Sequence, residues 1–528
     1  MMFAALLLLA APLQGAAPAV EGRLGDVQVV TGPIFSDREE EGNLFRRLVN
    51  ATHWTTRESV VRREIWKRRG DPVDEAFAAE LERNLRALGL FAEAEVTLVP
   101  REDSDVVDLR VETRDRFSIA GGASGSFVGN VASGGASLTE SNLFGSGDSV
   151  GFGFFENEDD EFRGSVSYRD RYLLGTWTSA SAQVGRTDQG DFAGLSVDRP
   201  FRYLADDFSW AVAGRTAEAE QDYFLRGDTV TEVPFDETGG AARATWRDGT
   251  RFDFRTLGVA VDHRSRAYGA LRGAPIERVP GDTDATYLSV TASAQTIRSF
   301  EKVTGLDTIR FVQDVRLGTT LSGEAGATVR DEAGRGTEVQ PTFAADLRTA
   351  HRLTSTTYVS AGLAGRARIF AGEAVGWRSA VDLRAYELSL PDQTLAFSAR
   401  LTSADESQDL PVQLTLGEDS GLRGYPRREF VGDQILRLNL EDRWDTGVQL
   451  GTFDLGAIAF ADLGWIGERG EGLGAPLRSV GVGLRIGSNE LLGRGVVRID
   501  LSFPLDERDG VSYDPLLSIT AGQLFTFQ

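Results

Sequence analysis

The stretch QILRLNLEDRW, residues 434–444, and the later VRIDLSF, residues 497–503, decide the fold. Leu436, Leu438 and Leu440 interleave with Arg437, Asn439 and Glu441, and Val497, Ile499, Leu501 and Phe503 interleave with Arg498, Asp500 and Ser502. Successive side chains of a strand point to opposite faces, so each segment has one apolar and one polar face. Leu257, Val259 and Val261 repeat the pattern. A transmembrane strand with lipid outside and water inside needs that division. A soluble sandwich shows it too, so segment number, length and context decide. From about residue 117 onward no amphipathic helix interrupts these segments, and Gly, Asp, Asn and Pro separate them. The roughly 410 residues available, at about 10 per spanning strand plus loops, predict a transmembrane antiparallel β-barrel of about 16 strands. Counted segment by segment the number runs higher, but stretches between Tyr223 and Ala350 also read as loop hairpins. Tyr168, Tyr172, Trp177, Tyr203 and Trp210 are candidates for an interfacial girdle.

Composition agrees with a mainly β chain. The 528 residues include 60 glycines and no cysteine, and the net charge is −23. Lack of cysteine excludes disulfides and thiolate metal sites. The acidic balance argues against nucleic-acid binding. Lys67 and Lys302 are the only lysines. Met1 to Ala11 form an apolar run of signal-peptide length, and Ala17-Pro18-Ala19 offers a cleavage site. Residues 1–19 are therefore expected to be a signal peptide, although no Lys or Arg precedes the run. No other stretch approaches 18 consecutive apolar residues. Any membrane crossing must then use strands, because only helices and closed barrels satisfy every backbone group in lipid.

Residues 22–115 differ from the rest. Val27 to Val30 read as a strand, and Thr56 to Arg69 read as a helix with Val61 and Ile65 on one face. Asp71-Pro72 suggests an N-cap followed by Pro at the first helical position. Phe77, Leu81, Leu85 and Leu88 form one apolar stripe, and Gly89 sits where a C-terminal cap belongs. Val96 and Leu98, then Val107, Leu109 and Val111, mark two strands. The order β-α-α-β-β and the run VVRREIWKRRGDPVDEAFAAELERNLRALGLFAEAEV, residues 60–96, resemble a polypeptide-transport-associated (POTRA) domain. The resemblance implies one small α/β periplasmic unit whose sheet edge can receive an extended client by strand addition.

Gly421-Leu422-Arg423-Gly424-Tyr425 follows a loop rich in Asp, Glu, Ser and Gln. It resembles the Val/Ile-Arg-Gly-Phe/Tyr motif of the BamA-type outer-membrane assembly and translocation superfamily. Phe460-Ala461-Asp462-Leu463-Gly464 resembles that family's Phe-x-Asp-x-Gly motif, and Asn142-Leu143-Phe144-Gly145-Ser146-Gly147 its turn after an early strand. The resemblance covers about residues 25–527 and is vague between 220 and 390. It implies a loop folded into the lumen, with Arg423, Gly424 and Tyr425 at its tip and Glu441 and Asp462 as the carboxylates that lock it. A planar guanidinium suits carboxylates, and a carboxylate facing lipid would be costly, which turns Asp462 inward. The first strand, with Gly121, Gly122 and Gly125, would pair weakly with the last, near Gly522, Phe525 and Phe527, giving a lateral seam. The ending Gly522-Gln523-Leu524-Phe525-Thr526-Phe527-Gln528 resembles the C-terminal signal read by assembly machinery, except that Gln528 replaces a final aromatic.

The residues thus point to an outer-membrane barrel over residues 116–528, with its first domain in the periplasm. Its implied partners are outer-membrane lipid, unfolded client proteins and accessory periplasmic proteins, with no nucleic acid, cofactor or metal. A passive pore or a dedicated transporter of a small substrate is the alternative, which the polar luminal face permits. An enzyme is the third reading. Gly147-Asp148-Ser149-Val150-Gly151 matches a nucleophile elbow by letter, but no helix follows. The three histidines, His53, His263 and His351, show no paired spacing.

Overall fold

The computed structural model describes residues 20–528 apart from 129–130, 157–161, 188–189, 277–280, 371, 406–412, 469, 493–494, 509 and 528. The expected signal peptide lies outside the described residues.

The first unit is a four-stranded sheet with helices on it. Strand Glu21–Gly32 pairs in parallel with Val106–Asp115 and, on its other side, with Pro72–Asp74. Phe91–Pro100 flanks Val106–Asp115 and forms the far edge. Helices Asp37–Glu40, Leu44–Ala51, Glu58–Glu64 and Glu75–Ala87 complete the unit. The expected β-α-α-β-β order is present, with two additional short helices and one three-residue strand. The stripe of Phe77, Leu81 and Leu85 packs on Val60, Val61, Leu109 and Val111.

Two expectations need correction. The helix expected over Thr56–Arg69 is confined to Glu58–Glu64, because the residues after it are used for a turn. In that turn Gly70 has φ +88°, and the Asp71 carboxylate accepts the Arg68 amide at 2.8 Å. Asp71-Pro72 does not cap the next helix. Pro72–Asp74 pairs with Glu21–Arg23, at an edge where the missing proline N–H costs nothing. Asp74 is the cap instead, accepting the Phe77 amide at 2.7 Å.

The second unit is a closed antiparallel barrel running from strand Ile119–Val128 to strand Leu516–Ala521. Among the described residues twenty strands close the wall; the two-residue Arg272–Gly273 pairs only with Asp228–Gly249, and Asp253–Tyr268 runs directly against Thr283–Val303. The expectation of about 16 was too low. Stretches between Tyr223 and Ala350 that also read as loop hairpins are wall strands. Phe208–Leu225, Asp228–Gly249, Thr283–Val303 and Gln313–Glu332 run 18, 22, 21 and 20 residues. A tilted membrane strand needs only about 9–11, so these hairpins are far longer than one crossing.

Alternation sorts the wall cleanly. Leu257, Val259, Leu288, Val290, Leu321, Leu363, Leu383, Val482 and Leu501 are all exposed on the outside, giving an apolar band around the cylinder. Asn439, Glu441, Asp462, Arg485 and Asp500 face inward and are buried.

The small domain is seated against the wall's turns at one end. Arg86 donates to both oxygens of Asp314 at 2.6 and 2.7 Å, and Arg251 Nε donates to Glu80 at 2.9 Å. Tyr172 donates its hydroxyl to Glu64 at 2.6 Å, Trp177 Nε1 donates to the Arg63 carbonyl at 2.7 Å, and Trp66 stacks on Tyr203 at 5.0 Å. Tyr172, Trp177 and Tyr203, expected in a lipid girdle, therefore bind the domain. They sit in turns rather than strand bodies, where the domain covers them.

Candidate functional site

Between strands Gln393–Asp405 and Gln434–Leu450 the chain folds into the lumen as a hairpin, Leu414–Leu416 pairing with Phe430–Gly432. A 3-10 turn, Glu418–Ser420, leads to the tip. The Leu422 amide donates to the Gly417 carbonyl at 2.9 Å, and the Glu418 amide to the Tyr425 carbonyl at 3.0 Å. Gly424 has φ +92°, and a Cβ there would meet the Pro504 nitrogen at 3.2 Å and Ser479 Cβ at 3.3 Å. The tip thus needs glycine for conformation and for close approach to the wall.

This geometry lowers Arg423 into a fully enclosed site, 0% exposed. Its Nε and Nη2 donate to the two oxygens of Asp462 at 2.7 and 2.8 Å, and its Nη1 donates to Glu441 at 2.7 Å. The guanidinium also lies 3.5 Å from the centre of the Phe460 ring, a cation–π contact. Asn439 Nδ2 donates to Asp462 at 2.7 Å and to the Gly421 carbonyl at 2.9 Å. Tyr425 is buried, donates its hydroxyl to the Arg478 carbonyl at 2.9 Å, and packs on Phe430 and Tyr513. Burial pushes the Tyr425 phenol up.

Arg423, Glu441 and Asp462 therefore meet, with Gly424 and Tyr425 in the supporting tip. Sequence reading missed a third carboxylate, Asp500, whose Oδ2 lies 3.5 Å from Arg423 Nη1. Arg485 donates to Asp500 at 2.6 Å, and Arg498 lies 3.2 Å from it. Arg443 donates to Glu441 at 2.8 Å. The signal for Asp500 was present: it lies on the polar face of VRIDLSF, opposite Gly483, where a Cβ would come within 2.1 Å of its carboxylate. Four arginines and three carboxylates thus knit the loop to four neighbouring wall strands.

At the seam the outcome is mixed. Leu517 pairs with Phe127, Ser518 with Ser126 and Ile519 with Gly125. Among the described residues this is the shortest register between neighbouring long strands of the wall. Gly125 takes part. Gly121 and Gly122 share its strand, but past the end of this register. Gly522, Phe525 and Phe527 do not line the seam. The last strand ends at Ala521, Gly522 turns the chain at φ +87°, and Phe525 and Phe527 are 7% and 2% exposed inside the barrel. Inside they reach aromatic and charged partners that lipid would not supply.

A Ser-His-Asp set does occur, at the joint between the units. His53 Nε2 lies 2.9 Å from Asp115 and its Nδ1 3.2 Å from Ser118 Oγ, while that hydroxyl donates to Glu140 at 2.9 Å. Asp115 also accepts the Thr56 amide. All three side chains are buried, and the hydroxyl proton is committed to Glu140, so the set acts as a joint. Ser149 stands in strand Asp148–Glu156 opposite Arg169. Among the described residues, no cluster of His, Asp and Glu is arranged to hold a metal ion.

The chain is similar in structure to BamA from Haemophilus ducreyi lacking POTRA domains 1–3, at 11% identity, covering 95% of this chain and 84% of that one, with a TM-score of 0.42. It is similar to CdiB from Escherichia coli at 12% identity, covering 95% and 77%, with a TM-score of 0.49. It is also similar to the alcaligin outer membrane receptor FauA from Bordetella pertussis at 11% identity, covering 78% and 73%, with a TM-score of 0.40. At such scores these likenesses carry no functional argument. No family model matches the chain, and no curated relative matches it.

Proposed function

We propose that the chain is an outer-membrane barrel of the BamA-type assembly and translocation superfamily, which inserts client polypeptides into the membrane or passes them across it. Its small domain faces the periplasm and receives clients. The observation that carries the reading is Arg423, lowered on a folded-in loop and clamped by Asp462 and Glu441 at 2.7–2.8 Å. A loop clamped inside the lumen narrows the path that a high-conductance pore would need. The apolar outer band fits lipid, since contiguous exposed apolar surface of that extent marks a membrane or partner interface.

The chemistry is exchange of backbone hydrogen bonds. Strand Ile119–Val128 meets its last-strand partner over a short register, and glycines weaken the strand further. Opening there exposes a row of amides and carbonyls that templates a client strand. In the small domain Phe91–Pro100 is an edge strand, suited to holding an extended client beforehand. No nucleotide is required, because the client's own burial and hydrogen bonding in lipid drive the step.

The test uses Ser126 and Ser518, paired across the seam. In a chain without native cysteine, Ser126→Cys with Ser518→Cys forms a disulfide that locks the wall. Client assembly or secretion should stop when the bond is oxidised and return on reduction. Full activity of the oxidised form would overturn the seam mechanism. A passive pore has one observation in its favour, a luminal cavity of about 370 Å³ lined by Arg264, Arg266, Arg330, Arg366, Arg368 and Arg378. Large, stable open currents in single-channel recordings would favour that reading.

A further inference from the structure

The last residues of the chain lie inside the barrel as a bound peptide lies in a receptor. The wall strands 357–370 and 373–387, the turn at Asp307 and strand Gln434–Leu450 meet the backbone of Phe525, Thr526 and Phe527. The Phe527 amide donates to both Asp307 oxygens at 2.9 and 3.0 Å. Arg384 donates to the Thr526 carbonyl at 2.8 Å, Ser360 to the Phe527 carbonyl at 3.2 Å, and Arg443 to the Phe525 carbonyl at 3.2 Å. Phe525 and Phe527 enter an apolar pocket against Tyr358 and Tyr386, with ring centres 5.5–6.2 Å apart, while Thr526 between them is exposed. Tyr386 also donates to Asp307 at 3.2 Å. Affinity from the main chain and specificity from alternate side-chain pockets is the logic of extended-peptide recognition.

The tail also has a second place to go. The register Leu517–Phe127 to Ile519–Gly125, continued antiparallel, would carry Gln523 to Gly121 and Phe525 to Ile119. The chain turns at Gly522 instead, and the register with strand Ile119–Val128 ends at Ile519–Gly125.

We propose that the luminal groove of Asp307, Tyr358, Tyr386 and Arg443 is a binding site for extended polypeptide segments with aromatic side chains two residues apart, and that residues 523–527 are its resident occupant. The replacing occupant is a client segment of the same pattern, and in that respect the inference rests on the function proposed above. Arg443 links the groove to the clamp, because it also donates to Glu441 at 2.8 Å, the carboxylate that holds Arg423. Exchange of the tail therefore touches both the seam, by freeing residues 523–527 for the wall, and the loop.

The probe is a fluorescein-labelled peptide of the sequence GQLFTFQ, and the receptor is the full chain or a chain ending at Gly522, each purified in detergent. A tethered tail competes at an effective concentration on the order of millimolar. The truncated barrel should therefore bind the peptide at least tenfold more tightly than the full chain. A shuffled peptide with the two phenylalanines adjacent should lose at least tenfold, as should the truncated barrel carrying Asp307→Asn. A chain ending early can fail to fold, so a second form carries a protease site after Gly522, is folded first and is cleaved afterwards; its severed tail should exchange with the probe. Absence of binding to the folded, cleaved barrel, or equal binding of the shuffled peptide, overturns the inference. Binding in this purified system does not depend on client assembly, so failure of the seam-locking test with peptide binding intact would sink the proposed function alone.

Discussion

Arg423→Ala is the sharpest perturbation of the lumen. The arginine makes three charge-assisted hydrogen bonds of 2.7, 2.7 and 2.8 Å, which at about 1.5–3 kcal/mol each bound its contribution at about 9 kcal/mol. The network reduces that bound. Glu441 keeps Arg443 at 2.8 Å and Asp500 keeps Arg485 at 2.6 Å. Only Asp462 loses its cation, retaining the Asn439 amide at 2.7 Å. Breaking a buried pair costs about 3–5 kcal/mol, and with a single carboxylate stranded the lower end applies. About 3 kcal/mol is roughly a hundredfold in the docking equilibrium of the loop. The assay is the rate of protease cleavage at a site inserted within residues 406–412, together with urea unfolding of the barrel in detergent. The cost should sit on Asp462, so adding Asp462→Asn to Arg423→Ala should recover about 1–2 kcal/mol, within the usual range of coupling between touching residues. An Arg423→Ala barrel within about 0.5 kcal/mol of the parent, or a double variant showing no recovery, would refute the reasoning.

Gly481→Val should loosen the same site from outside the network. A Cβ at Gly481 would lie 2.2 Å from Phe460 Cζ and 2.5 Å from the Leu501 carbonyl, so the ring beneath Arg423 must move; overpacking of this kind costs about 1–3 kcal/mol, read as a lower unfolding midpoint. Docking of the small domain should weaken in acid. At Glu82 burial pushes the carboxyl up, but hydrogen bonds from Lys302 and Arg86 outweigh it and hold the pKa below 4.5. A lowered carboxylate stabilises the docked state above its ordinary value and loses that contribution as pH falls through the lowered one. Energy transfer between dyes on two introduced cysteines, one on each unit, should hold constant from neutral pH to about 5 and fall below that. The same acid step persisting in Glu82→Gln would show that another group is responsible.

How much of this is legible in the sequence depends on how local each feature is. Alternation places Glu441 on an inward face because strand geometry has period two; around Asp462 the small residues Ala457, Ala459 and Ala461 blur the alternation, and the cost of a carboxylate facing lipid turns it inward instead. Strand number is harder. In stretches such as Phe208–Leu225 and Asp228–Gly249 polar residues appear on both faces beyond the membrane, and the alternation dissolves into what reads as loop. Asp500 was visible as an inward carboxylate, but its link to Arg423 depends on the loop's depth, a tertiary quantity. Phe525 and Phe527 were misplaced for a similar reason. They continue the alternation of Leu517 and Ile519, and only Gly522, with a left-handed conformation, breaks the line. Tyr172 and Tyr203 read as lipid anchors because aromatic residues near strand ends serve lipid and protein partners alike.

The buried joint of His53, Asp115 and Ser118 also has a mechanical meaning. Asp115 ends the last strand of the small domain, and Ile119 begins the first stave of the wall, the weaker lip of the seam. With the hydroxyl and carboxylate of that short connection both held by His53, there is little slack to absorb a pull. Torque applied to the small domain by an incoming chain would therefore be delivered as through a crank to the one stave whose far side is least secured.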